Sequence, residues 1–364
     1  MSLDLPTPLS HITAIGYTHA PNGLPLETFE AKIPNPAPNE LLVHVVSSSL
    51  NPLDHKLAER NFLGRTPPVQ LGFDFAGIVV VIGDKVTSHK VGDAVFGMVP
   101  SNQDGVWATG GVGSYALVPE FLAAHKPAGL SFVEAGTMGI CYLSAFLALN
   151  DVVTHGSTLY IPGGGGGVGH LAIQKARALG AKLIVSSGGS ETSRALAKAS
   201  GADHVFDYRK RNVVDEIAKL TDGKGVDVVY DATYNEDCYV DSAKAVRSKG
   251  DWVVLGVGPG KTTRNVETES PVSNILASKD ARLVNVNLLS LFSASDADKD
   301  AGYALLNQAV LDAAATTEAG TVKPHVPVTI PCEVPEINMA LDEMRAQRNV
   351  AGKIAVIIDA SRAR

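Results

Sequence analysis

Apolar and polar positions follow two different rhythms along this chain, and the change falls near Ser131. From Ile12 to about Pro127, short apolar runs such as Leu41-Leu42-Val43-His44-Val45-Val46 and Ala76-Gly77-Ile78-Val79-Val80-Val81-Ile82-Gly83 are broken by Gly, Pro and Asn. That pattern predicts a compact, mostly antiparallel β domain. A glycine-rich stretch from Ser101 to Gly113 is long enough for a lid or a surface loop. After Ser131, Thr158-Leu159-Tyr160-Ile161-Pro162 reads as a strand, and Val168, Leu171, Ala172, Ala176 and Leu179 recur at helical spacing up to Gly180. Further strands are predicted at Lys182–Ser187, His204–Tyr208, Val226–Asp231, Trp252–Val257 and Arg282–Val286, with helices at Glu191–Ala199, Val213–Leu220 and Tyr239–Val246. Such alternation predicts a doubly wound parallel sheet. The tail predicts a helix at Tyr303–Ala315, an extended run at Val326–Ile330, a helix at Val334–Met344 and a strand at Lys353–Ile358. Periodicity leaves open which domain that tail completes.

With 364 residues, the chain exceeds one core at roughly 150 residues per domain, so two domains are expected. A formal charge of -7 gives no electrostatic reason to expect nucleic acid or an anionic membrane as partner. The first ten residues lack the basic and apolar regions of a signal peptide, and no run of about 18 apolar residues occurs, so a cytoplasmic location is expected. Cys141, Cys238 and Cys332 read as reduced thiols, too few for a four-cysteine zinc site.

The strongest chemical motif is Gly163-Gly164-Gly165-Gly166-Gly167-Val168-Gly169, which holds G-x-G-x-x-G as Gly164, Gly166 and Gly169 between a strand and an amphipathic helix. Glycines there permit a tight turn and a close approach of backbone to a pyrophosphate, and the helix N-terminus offers amides and a positive dipole end. A flexible linker would not lead at once into an amphipathic helix. The next strand ends Val185-Ser186-Ser187-Gly188-Gly189-Ser190, without the carboxylate that grips an NAD ribose. Ser187, Ser190 and the Arg194 guanidinium offer donors to a 2′-phosphate, which favours NADPH; the Glu191 carboxylate nearby either opposes that phosphate or only answers the dipole of its own helix.

These features, with Asn51-Pro52-Leu53-Asp54, Leu71-Gly72-Phe73-Asp74-Phe75-Ala76-Gly77, Lys90-Val91-Gly92-Asp93-Ala94-Val95, Phe206-Asp207-Tyr208-Arg209 and Gly352-Lys353-Ile354, occur in an order that resembles the medium-chain dehydrogenase/reductase superfamily, in its zinc-free quinone oxidoreductase and enoyl reductase branch. The resemblance covers nearly the whole chain. It implies an α/β protein with a GroES-like, mostly-β catalytic domain at 1–140, completed by 300–364, and a Rossmann domain at 141–299. It also implies that Tyr208 lies near the 2′-phosphate, that backbone at Gly256 and Val257 and the strand around Val286-Asn287 face the nicotinamide, and that the chain forms a homodimer. A lysine common in the family after the second strand is replaced by Ser193.

The positions matching the first two ligands of the family's catalytic zinc hold Asn51 and Phe73, and Cys141 falls near the third. An amide and a phenyl ring are not zinc ligands, so no metal is expected and Cys141 reads as a core residue. Asn51, Pro52 and Asp54 also read as a helix start, with Asn at N-cap and Pro at N1. Both readings of Asn51 stand together, the second being an amide N–H donated to a substrate oxygen. Lys56 is a candidate donor or a solvated helix lysine; His55 and Tyr142 are weaker candidates. The expected activity is NADPH-dependent hydride transfer to a quinone or α,β-unsaturated carbonyl, a small molecule. The alternatives are a selective enoyl reductase of biosynthesis and a non-catalytic, crystallin-like NADPH binder.

Overall fold

A computed structural model of the chain describes residues 10–19, 24–100, 109–233, 236–255, 270–292, 296–348 and 350–363. Outside them fall 101–108, most of the expected lid or surface loop, and 256–269, which include Gly256 and Val257. The chain divides into two compact units, Met1–Ile140 with Ala294–Arg364, and Cys141–Ser293.

The first unit opens with β1 (His11–Tyr17), β2 (Glu27–Lys32), β3 (Glu40–Leu50) and α1 (Pro52–Arg60). It continues through β4 (Val69–Gln70), β5 (Asp74–Ile82), β6 (Ala94–Met98), β7 (Tyr115–Pro119), β8 (Ala123–His125) and α2 (Phe132–Ala135). A small sheet runs β2-β1-β4, and the larger one is built on the pair β3 and β5. Because β5 is buried along most of its length, it reads after Asp74 as an apolar run rather than an alternation. Gly77 on β5 is required by packing: a Cβ there would stand 2.1 Å from the His44 carbonyl oxygen of β3.

α3 (Gly139–Leu149) crosses the division between the units. The second unit then alternates β9 (Thr158–Pro162), α4 (Gly167–Ala178), β10 (Leu183–Ser187), α5 (Glu191–Ala199), β11 (His204–Phe206), α6 (Val213–Leu220), β12 (Val226–Asp231), α7 (Glu236–Ala245), β13 (Val246–Leu255), α8 (Pro271–Ser278) and β14 (Arg282–Val286). Its strands form one parallel sheet in the order β11-β10-β9-β12-β13-β14, the doubly wound order expected. Successive strand residues feed opposite faces: Leu159 and Ile161 pack in one core cluster, Tyr160 between them in the other. β11 stops two residues short of the expected Tyr208, because Asp207 leaves the strand to meet arginines. β13 starts at Val246, ahead of the expected Trp252, through a polar stretch whose pairing with β12 is interrupted by a register shift.

The tail supplies α9 (Asp296–Glu318), β15 (Val328–Pro331), α10 (Val334–Arg345) and β16 (Ile354–Ile357). α9 begins well before Tyr303, since its first turns are polar and carry no apolar rhythm. The tail belongs to the first unit. β3 serves two strands in succession, β7 along 40–44 and β16 along 47–50, so the last strand lies beside the residues that lead into α1.

Candidate functional site

Two polar constructions stand out, one in each unit. In the second unit, β9 is followed at once by Gly163, whose φ of +67° suits glycine, and whose N–H donates to the Ser187 carbonyl at 3.0 Å. Gly166 returns an N–H to the Gly163 carbonyl at 2.9 Å and is the N-cap of α4. Added Cβ atoms would lie 2.1 Å from Ser186 Oγ at Gly164, 2.0 Å from the Ser193 carbonyl oxygen at Gly165 and 2.4 Å from the Gly163 carbonyl oxygen at Gly169. Those glycines are fixed by packing. Gly166 differs, with only the Gly163 oxygen near its missing Cβ, at 3.3 Å, so its lack of a side chain keeps open the space before the helix. Gly167, Val168 and Gly169 form the first turn of α4, which has no capping side chain and no carboxylate of its own. First-turn amides of a helix lack intrahelical acceptors, so this end suits an anion.

The turn after β10 is the second half of this construction. Ser190 caps α5, accepting the Ser193 N–H at 3.1 Å, with Glu191 in the first turn. Arg194 Nη1 donates to the Gly189 carbonyl at 2.9 Å and to Asp207 Oδ2 at 3.0 Å. Arg209, not among the candidate residues read from the sequence, bonds Asp207 through Nε at 3.0 Å and also donates to the Gly189 carbonyl. Hydrogen bonding from Arg209, with the charges of Arg209 and Arg194, holds the Asp207 carboxyl down at about 2. Tyr208 is 56% exposed, and its hydroxyl sits against Gly189. Two guanidiniums and a phenol thus surround one glycine turn. Ser187 departs from expectation: it is buried, and its hydroxyl is engaged by the Tyr160 hydroxyl at 3.0 Å. Val286 is buried at the end of β14, and the adjoining Asn287 side chain accepts the Ser290 N–H.

In the first unit, Asn51 and Pro52 start α1 as the sequence predicts, with Asp54 Oδ2 accepting the Asn51 N–H at 2.7 Å. Asp54 Oδ1 accepts the Gly72 N–H at 2.9 Å, tying α1 to the run before β5. Burial pushes the Asp54 carboxyl up to about 7; the Asn51 amide opposes this, Asp74 adds to it, and the Gly72 amide and Lys353 oppose it. The Asn51 side chain is 2% exposed. Its Nδ2 donates to Asp74 Oδ2 at 2.7 Å, and its Oδ1 accepts from Lys353 Nζ at 2.6 Å. Lys353 also donates to the Leu50 carbonyl at 3.2 Å and faces Asp74 Oδ2 at 3.4 Å, while Asp74 accepts from Ser49 Oγ and, through Oδ1, from the Ile140 N–H at 2.6 Å. Three motifs distant in sequence therefore meet in one buried network. Asp74 and Lys353 stand within motifs legible in the sequence, but nothing in the sequence gives them a role, because the burial of Lys353 is evident only in the fold.

Lys56 is half-buried on α1, and its pKa is lowered by burial, then by Arg60, with Glu59 opposing. His55 stands 3.5 Å from Glu59, whose other partner is Arg345. Tyr142 and Cys141 are buried. Phe73 is buried too, with the Arg65 guanidinium 5.4 Å from its ring centroid. Among the described residues, no group of three or more His, Cys, Asp or Glu side chains could hold a metal ion, and no helix is long and apolar enough to cross a membrane.

Comparison with known proteins agrees with this architecture. Residues 37–128 match the alcohol dehydrogenase GroES-like domain, and 167–296 match the zinc-binding dehydrogenase family model. The crystal structure of an alcohol dehydrogenase superfamily protein from Novosphingobium aromaticivorans superposes with a TM-score of 0.80 at 31% identity, over 96% of this chain and 99% of that one. A quinone oxidoreductase of Sus scrofa is 34% identical over 213 residues, 57% of this chain and 61% of its own length. A phthioceranic/hydroxyphthioceranic acid synthase of Mycobacterium tuberculosis is 35% identical over 226 residues, 61% of this chain. The chain spans only 10% of that synthase. By its two domains and this full-length structural likeness, the chain belongs to the medium-chain dehydrogenase/reductase superfamily, in the quinone oxidoreductase branch.

Proposed function

We propose that the protein is an NADPH-dependent, zinc-free reductase of a quinone or an α,β-unsaturated carbonyl. The observation that carries this reading is the open glycine turn before α4, beside a second glycine turn ringed by Arg194, Arg209 and Tyr208. It lies at the carboxyl end of β9, where the strand order reverses between β10 and β12. The α4 amides hold the pyrophosphate, and the arginines, with Ser190 and Tyr208, take the 2′-phosphate by charge-assisted bonds. Ser187 lies beneath the turn and supports it through Tyr160.

Zinc does not fit the family position. Asn51 is an amide already shared between Asp74 and Lys353, and Phe73 offers only a ring. When bound, the reduced nicotinamide supplies a hydride to the electrophilic carbon. Charge then gathers on the substrate oxygen, where an Asn51 N–H stabilises it and Lys56, with its pKa already lowered by burial, delivers a proton. A second copy of the chain pairs through an edge of the second unit's sheet, whose edge strands are β11 and β14.

The test is NADPH and NADH oxidation with 1,4-benzoquinone, cyclohex-2-enone and an enoyl thioester, before and after dialysis against a chelator. Turnover of the quinone or enone with NADPH, unchanged by chelation, is expected. Preference for the thioester alone would favour a biosynthetic enoyl reductase, and activity lost with bound zinc would defeat the zinc-free mechanism. Cofactor binding without turnover of any substrate would leave the non-catalytic reading.

A further inference from the structure

We propose that Lys353 and Asp74 are positioning residues that lock the Asn51 side-chain amide in one of its two flip states. The inference rests on the reading of Asn51 as the donor to substrate oxygen. An asparagine amide can turn by 180° and exchange a donor for an acceptor in nearly the same space. Here each side of the amide meets a group that tolerates only one arrangement. Lys353 Nζ is a donor without acceptor capacity, so the atom 2.6 Å away must be Oδ1. Asp74 Oδ2, which also receives Ser49 Oγ and faces Lys353, must meet Nδ2 at 2.7 Å.

A flipped amide would set N–H groups against an ammonium and a carbonyl against a carboxylate. Because Asp74 and Lys353 are both buried, water cannot take the place of the partner each would lose. The two guides are themselves fixed by main chain: Lys353 by the Leu50 carbonyl, and Asp74 by the Ile140 N–H. They come from different places, Asp74 from the start of β5 and Lys353 from the residue before β16. Neither is required for the start of α1, since the Asp54 carboxylate and Pro52 serve that end. A charged pair is thus retained beside an amide whose helix start has its own support. Orientation of that amide accounts for it.

A double-mutant cycle tests this with Asn51→Ala, Lys353→Met and the two combined, measuring kcat and KM for the turned-over quinone or enone and Kd for NADPH. Each single change is expected to lower kcat by about 10²-fold, the scale of losing one donor to a developing oxyanion. The combined variant should fall no further than the worse single one, and the Kd for NADPH should stay within about twofold in all of them. Lys353→Met leaves Asp74 buried without its cation, so Lys353→Met with Asp74→Asn is the companion variant should the single change not fold. It should show the same kcat loss, again absent on an Asn51→Ala background. If Asn51→Ala retains full kcat, the donor reading itself is lost. If Asn51→Ala is impaired while the Lys353 variants are not, or if their losses multiply, the positioning inference alone is overturned.

Discussion

The glycine turns of the second unit and the buried network of the first both handle charge, but with opposite materials. Around α4 and α5 the groups on offer are main-chain amides and guanidiniums near the surface, and the glycines act by taking up no room. Around Asn51 the working groups are side chains with almost no exposure, each satisfied by others from distant parts of the chain. The first construction is local and is disrupted by adding atoms. The second is non-local and is disrupted by removing or recharging them.

The largest effect that separates the two is expected at Gly165, where a side chain would run into the Ser193 carbonyl 2.0 Å from the new Cβ. Gly165→Val should abolish measurable NADPH binding by calorimetry while circular dichroism still reports a folded first unit; unchanged affinity would show that the turn has no part in the site. In the buried network the expected effect is one of pH. Because burial raises the Asp54 carboxyl to about 7, against about 3.9 in an unfolded chain, the native protein holds the extra proton between those values. The stability associated with that proton is present below about pH 4 and is lost as pH rises to about 7. Urea denaturation from pH 5 to 8 should therefore show falling stability with rising pH, and Asp54→Asn should flatten that slope; a parallel slope in the variant would assign it to other groups. The smallest effect is at Arg209, whose guanidinium is largely exposed. Arg209→Ala should weaken NADPH about tenfold, roughly 1.4 kcal/mol, and leave NADH within about twofold, measured as Kd; equal losses for both would remove Arg209 from the 2′-phosphate site.

The same contrast decides what could be read from the residues. G-x-G-x-x-G declares itself because its parts are contiguous and its strand and helix flank it, so the doubly wound sheet and the glycine turn that opens α4 were both legible. The motif at Asn51 showed its helix start, since N-cap, Pro52 and Asp54 are neighbours. Its pairing with Lys353 was hidden, because 302 positions separate them and only the register of β16 on β3 brings them together. The burial of Ser187 was also missed: a hydroxyl at the end of a strand looks available until Tyr160 from the neighbouring strand is known to reach it. Arg209 was visible within a family motif, but its reach to the Gly189 turn depends on the departure of the chain from β11 at Asp207.

The late arrival of β16 bears on how the chain matures. A ribosome adding about 5–20 residues per second needs roughly 14–56 s to cover the 279 positions from Asp74 to Lys353. Throughout that interval the nascent first unit must keep a carboxylate and an amide hydrated that the finished protein seals away. Its closing therefore waits for the strand that carries Lys353 into place, and until then the emerging polypeptide is open to chaperones where its polar core will form.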